Sequence, residues 1–171
     1  MAVLSRAANG HPRRALACVV VGLLVAAAMG GARAQVDESR LKAAFVYNIV
    51  AFSSWSGPAE ARLHLCTATG GPLDAELARL EGRQVGQRRI DVRRGFGAGC
   101  DVLVHGADSL APLASPSALV ICDGCALPDG SSAVTLLRED DRIRFEVDAA
   151  AATRAGIGFS SQLLRLARRV L

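Results

Sequence analysis

The chain has 171 residues, 51% of them hydrophobic and only 4% aromatic, with 20 basic and 16 acidic residues and a formal net charge of +4. Arg6, Arg13, Arg14 and Arg33 lie in the first 34 positions with no acid beside them, so the remainder carries 16 charges of each sign. That balance gives no electrostatic reason to expect nucleic acid or an anionic membrane as a target, and the length suits one domain with a real core.

His11-Pro12-Arg13-Arg14 is a positive segment, Ala15 to Met29 is an apolar run of 15 residues, and Ala32-Arg33-Ala34 offers small residues for cleavage before Gln35. This is the pattern of a secretory signal peptide, too short and alanine-rich for a stable transmembrane helix. Cys18 comes too early in the apolar run for lipid attachment. The expected organisation is therefore a signal peptide over residues 1–34 and one exported domain over 35–171, located in the periplasm without further membrane insertion.

Loss of the leader leaves four of the five cysteines: Cys66, Cys100, Cys122 and Cys125. An even number in an exported protein implies two disulfides, with three possible pairings. Cys66 with Cys100 and Cys122 with Cys125 is the favoured set, because Cys66 and Cys100 flank strand-like runs that can be neighbours. Closing the long loop between Cys66 and Cys100 is worth on the order of 4 kcal/mol in the chain-entropy model.

In chain order, the first predicted element is a helix over Arg40 to Trp55, capped by Asp37 or Ser39 and ended by Ser56-Gly57-Pro58. Leu41, Phe45, Ile49 and Phe52 recur at helical spacing, and Val46 and Val50 put apolar surface on a second face. Such a helix is buried between layers or waits for a partner chain. It also holds Phe45, Tyr47, Phe52 and Trp55, four of the seven aromatic residues in the chain. Tyr47 and Trp55 are the candidate partner-binding residues, since both types are enriched at interface centres and carry a polar handle.

A strand is expected over Arg62 to Cys66, then an amphipathic helix over Leu73 to Leu80, a turn over Gly82 to Gln87, and a strand over Arg88 to Arg94. Asp101 to His105 and Ala118 to Cys122 read as buried strands, with a short helix around Ser109 to Ala114 between them. Ala133 to Leu137 and Arg142 to Val147 form a hairpin around the polar turn at 138–141. Asp148 caps a helix over Ala149 to Arg154, Gly156 ends it, and Ser160 opens a last helix to Val170. Strands alternating with helices, then a hairpin, predict an α/β fold: a single layered domain with a mixed β-sheet flanked by helices and containing disulfides.

No catalytic set emerges. The chain lacks G-x-S-x-G, H-E-x-x-H and P-loop motifs. His64 and His105 have no histidine, aspartate and cysteine set at ligand spacing in the sequence, so neither a metal nor a cofactor is expected. Gly95-Phe96-Gly97-Ala98-Gly99 joins two strands instead of opening a helix, which excludes a dinucleotide cradle. Arg88, Arg89, Arg93 and Arg94 read as a solvated face. Cys122-Asp123-Gly124-Cys125 has the spacing of a thiol–disulfide redox motif, but Pro128-Asp129-Gly130 and a strand follow it where a helix would be needed to stabilise the thiolate. A structural or redox-sensitive clip is the favoured reading, with a redox protein using Cys122 and Cys125 as the lesser one.

The stretch LKAAFVYNIVAFSSW, the strand ending at Cys66, the strand before Cys100 and the tail RIRFEVDAAAATRAGIGFSSQLLRLARRV together resemble the YfiR family of exported bacterial proteins, in order over most of residues 38–170. Asp148, where the family usually has Asn, and Gly130-Ser131-Ser132, where it usually has Gly-Gly, are local departures at turns. The resemblance implies a periplasmic, disulfide-containing α/β protein and a homodimer. It also implies a partner: a membrane-anchored diguanylate cyclase whose periplasmic domain is bound and repressed, which lowers cyclic-di-GMP signalling and biofilm formation. The expected function is thus non-enzymatic regulation, with a periplasmic small-ligand binding domain as the alternative.

Overall fold

The computed structural model of the protein describes residues 38–57, 60–97, 99–108 and 116–171. The leader and the helix expected around residues 109–114 lie outside them. Helix α1 (38–51) is followed at once by strand β1 (Ser53–Trp55). Then come β2 (Arg62–Ala68), α2 (Pro72–Ala78), β3 (Gln84–Val85), β4 (Arg88–Arg94), β5 (Val102–Gly106) and β6 (Leu119–Asp123). The chain closes with β7 (Val134–Glu139), β8 (Arg142–Val147), α3 (Ala149–Arg154), β9 (Ile157–Phe159), α4 (Ser161–Leu166) and β10 (Arg169–Val170).

Eight strands form one sheet in the order β10-β8-β7-β6-β5-β2-β4-β3. β2 pairs in parallel with β4 and β5, β5 with β6 and β6 with β7, whereas β7–β8 and β3–β4 are antiparallel. This is the mixed sheet that the alternating pattern predicts. The polar turn at 138–141 does join a hairpin, and Asp140 and Asp141 both take positive φ there, as a two-residue turn matched to strand twist requires.

Period-two alternation gives the sheet two unlike faces. Leu63 and Leu65 of β2, Val102 and Val104 of β5, Leu119 and Ile121 of β6, and Val134 and Leu136 of β7 share one buried cluster with residues of all four helices. The intervening positions put His64, Cys66, Leu103, His105, Cys122 and Thr135 on the other face. Cys66, Cys100 and Leu103 make a small cluster there. β4 and β5 flank β2, so the chain between them has to cross it. The Cys66–Cys100 disulfide fixes that crossing, and Cys122–Cys125 closes the turn after β6. Both pairings match expectation.

Helix α1 exists, but its faces are used differently from the simple stripe. Ser39, Ala43, Val46 and Val50, spaced four, three and four apart, are buried against the sheet together with Ile49. Small and β-branched side chains let the helix axis approach the strands closely. The larger Leu41, Phe45 and Phe52 do not fit beneath it and are left at one flank, with Leu41 47% and Phe52 36% exposed. The second face, not the first, is the core seam.

The helix also stops earlier than predicted. The Ser53 hydroxyl donates to the Ile49 carbonyl at 2.6 Å, and β1 then pairs antiparallel with β9. Trp55 therefore belongs to a strand. Gly158 lies opposite Ser54, and a Cβ on it would come within 2.8 Å of the Ser54 hydroxyl, which would have to rotate away to make room. At the other end, Asp148 caps α3 as expected, accepting from the Ala151 amide at 2.8 Å. The predicted last helix is cut short: Ala167 is extended, and the remaining residues run beside β8 as β10.

Cys66→Ser removes the bond that fixes the β4–β5 crossing. The expected outcome is a loss of about 2–5 kcal/mol in denaturant unfolding, the usual effect of deleting a native bridge. Non-reducing peptide mapping of the wild type should find Cys66 linked to Cys100.

Candidate functional site

The large side chains left over at the flank of α1 line a groove. Leu41, Phe45, Ile49 and Phe52 form one wall, Ile143 and Phe145 of β8 the floor, and Leu163 and Leu166 of α4 the far wall, around a cavity of about 460 Å³. Asn48 and Arg144 are its polar members. Phe45 and Phe145 meet as tilted rings with centroids 6.1 Å apart. Leu166 is 66% exposed, so three large apolar side chains at this one site stand open to water. Burying the surface that each still exposes would be worth on the order of 1 kcal/mol, and an exposed apolar patch of this kind is the type that marks interaction sites.

The far wall is held by charge. Glu146 of β8 is almost wholly buried and accepts from Arg168 at 2.5 Å and Arg169 at 2.6 Å. Arg169 stands directly opposite Glu146 in the β8–β10 ladder, and the Arg168 and Leu171 amides donate to the carbonyls of Phe145 and Val147. Burial would raise the Glu146 carboxyl, but hydrogen bonds and charge from Arg169 and Arg168 outweigh it and hold the group below the usual carboxylate range. This clamp draws the chain out of α4 and onto the sheet edge.

A second polar network anchors α1 at its start. Lys42 reaches Glu38 at 2.7 Å and Asp123, inside the C-x-x-C turn, at 2.9 Å. Glu38 also pairs with Arg138 of β7 at 2.9 Å. Burial opposes the charge on Lys42, yet hydrogen bonds and attraction from Glu38 and Asp123 leave its ammonium raised above the ordinary value.

Tyr47 of α1 and Trp55 of β1 do not line the groove and instead face residues of β3, β4 and the turn before them. The Tyr47 hydroxyl donates to the Gln84 carbonyl at 2.9 Å, and the Arg83 guanidinium sits 4.2 Å from its ring centre. Arg88 lies 5.4 Å from the Trp55 ring, while the indole N–H has no acceptor. Arg89, Arg93 and Arg94 are exposed, as a solvated face should be, but Arg88 is tied to Asp101 at 3.0 Å. His64 stays 3.9 and 4.0 Å from Asp91 and Asp101. No helix starts at the C-x-x-C turn over residues 123–133, so nothing there supplies the dipole that makes a thioredoxin-type thiolate. The groove residues Ile143, Leu163 and Leu166 were not singled out from sequence; the exposed stripe at 41, 45 and 52 was its only visible trace.

The fold is a disulfide-stapled α/β domain with an open apolar groove. A family model described as YfiR/HmsC-like matches residues 39–168, and the chain belongs to that family. It is a regulatory, non-catalytic family, periplasmic, and membership supports a role in regulating diguanylate cyclase signalling. A search of the curated proteins finds no match. Among the described residues, no helix is long and apolar enough to cross a membrane.

The Glu146 clamp makes an acid-sensitive element. A carboxyl lowered in the folded state contributes stability above its unfolded value near 4.5, lost as pH falls through the folded value. Glu146→Gln should unfold more easily at neutral pH by about 1.5–3 kcal/mol, the range for a hydrogen bond to a charged group. Its stability should also depend less on pH below 4.5 than that of the wild type in acid titrations followed by circular dichroism.

Proposed function

We propose that the protein is a periplasmic repressor that binds the periplasmic domain of a membrane-anchored diguanylate cyclase and thereby lowers cyclic-di-GMP. The partner's apolar side chains occupy the groove between α1, β8 and α4. One observation carries this reading: Leu41, Phe52 and Leu166 are exposed around one continuous apolar cavity, in a fold that had buried room for smaller residues on the same helix. Family membership supplies the partner class. Export after cleavage before Gln35 and self-association as a homodimer complete the proposal.

Tyr47 and Trp55 remain proposed as a second contact surface outside the groove. The Tyr47 ring with the exposed Arg83 over it suits a partner bearing acidic side chains, since arginine and aromatics are the residues enriched in interface cores, whereas Arg88 beside Trp55 is already paired with Asp101. A small apolar ligand is the other reading of the groove, favoured by a volume of about 460 Å³ with Asn48 and Arg144 as its few polar groups.

Leu41→Asp and Phe52→Asp should each weaken binding to the cyclase's periplasmic domain by about 2 kcal/mol or more, the scale of interface hot spots. Their melting temperatures should stay close to wild type, because neither side chain belongs to the core. Calorimetry on both variants, with Tyr47→Ala and Trp55→Ala alongside, separates the surfaces. Unchanged affinity in the two groove variants would overturn the docking site; loss confined to Tyr47→Ala and Trp55→Ala would move it to the other flank.

A further inference from the structure

His105 and Cys122 are direct neighbours across the parallel β5–β6 pair, on the sheet face opposite the helices. The turn after Cys122, with Gly124 at φ 90°, folds Cys125 back beside them. One donor atom from each of the three residues lies within 4.8 Å of the other two. His105 is 2% exposed and Cys122 is fully buried, whereas Cys125 is half-buried.

The imidazole is already oriented. Nδ1 donates to the Gly106 carbonyl at 3.0 Å, and because a carbonyl only accepts, Nε2 is the nitrogen with the free lone pair. Ser132 Oγ is 3.5 Å from Nε2, but the single hydroxyl proton goes to Asp129 at 2.7 Å. Nε2 therefore has only this long contact with the Ser132 hydroxyl, beside two sulfur atoms. A histidine held through one nitrogen by a backbone carbonyl, with the other nitrogen free, is how metal-ligating histidines are presented. Two cysteines with two residues between them are the commonest half of a zinc site.

We propose that the reduced protein holds a Cys122–Cys125–His105 site for one zinc-class divalent ion, and that the disulfide masks it. A dithiol reductant gives two electrons and two protons to the Cys122–Cys125 bond and leaves as its own disulfide. Each thiol then releases its proton as its sulfur binds the ion, and Nε2 gives its lone pair without a proton change. A water on the Cys125 side fills the fourth position. Tetrahedral zinc holds such donors roughly 3.4–3.8 Å apart, inside the present 4.8 Å envelope. The Thr135 hydroxyl donates to the Cys125 carbonyl at 2.8 Å, with the Cys122 carbonyl 3.2 Å away, so the turn keeps this tie when the sulfur–sulfur bond opens.

The test is zinc uptake by the intact protein before and after anaerobic reduction, read by competition with a chromophoric chelator. The expected result is one tight zinc per reduced chain and none in the oxidised form, with X-ray absorption giving two sulfurs and one imidazole around the metal. His105→Ala should weaken the affinity by at least about 10- to 100-fold, the range seen when even an outer partner of a metal ligand is lost. The absorption spectrum of wild type decides the matter even if that variant misfolds. No uptake on reduction, a shell of four sulfurs, a shell without imidazole, or unchanged affinity in folded His105→Ala would each overturn the proposal.

Discussion

The close seam between α1 and the sheet is the contact on which the rest of the structure depends. Ala43, Val46, Ile49 and Val50 share one buried cluster with Leu63, Leu65, Val104 and Ile121 of the sheet, and Ser39 is buried on the same side of the helix. Larger residues in the seam would lift the helix and open voids, which protein interiors tolerate poorly. Once the seam is filled by small side chains, the three bulky ones on the adjacent flank have nowhere to go but outward. The groove is therefore a consequence of how the helix packs, and β8 and α4 only complete it.

Two charge networks hold the parts that the apolar seam does not reach. Lys42, Glu38, Asp123 and Arg138 tie the first turns of α1 to the ends of β6 and to β7. Glu146 with Arg168 and Arg169 ties the tail to β8. Exposed pairs of this kind contribute little by themselves, but a carboxylate as buried as Glu146 must be answered by charge, and the answer decides where the chain runs. Asp123 belongs to the C-x-x-C turn, so the covalent state of Cys122 and Cys125 and the position of α1 share a residue. The disulfide face and the groove lie on opposite sides of the sheet, linked through that side chain.

Much of the fold is legible from local pattern. Arg88 to Arg94 alternates cleanly and forms a strand over those residues, and Arg142 to Val147 does the same. Asp148 reads as a cap because its carboxylate has an amide to meet three residues on. Features set by distant partners were hidden. Nothing near Ser53 announces that Ile157 to Phe159 will pair with it, and nothing in the amphipathic pattern after Ser160 shows that Glu146 will take Arg168 and Arg169 out of a helix. The stripe at Leu41, Phe45, Ile49 and Phe52 was visible, but periodicity ranks faces by hydrophobicity and not by how closely a backbone can approach. His105 and Cys122 are 17 positions apart and meet only through strand register. That is why ligand spacing along the chain did not reveal them.

Amide hydrogen exchange on the protein alone and with the periplasmic domain of the proposed cyclase partner added tests the proposed docking groove most directly. The account predicts new protection concentrated in residues 41–52, 143–145 and 163–166. Protection confined to residues 84–94 and the Tyr47 flank, with the groove segments exchanging as in the free protein, would contradict it.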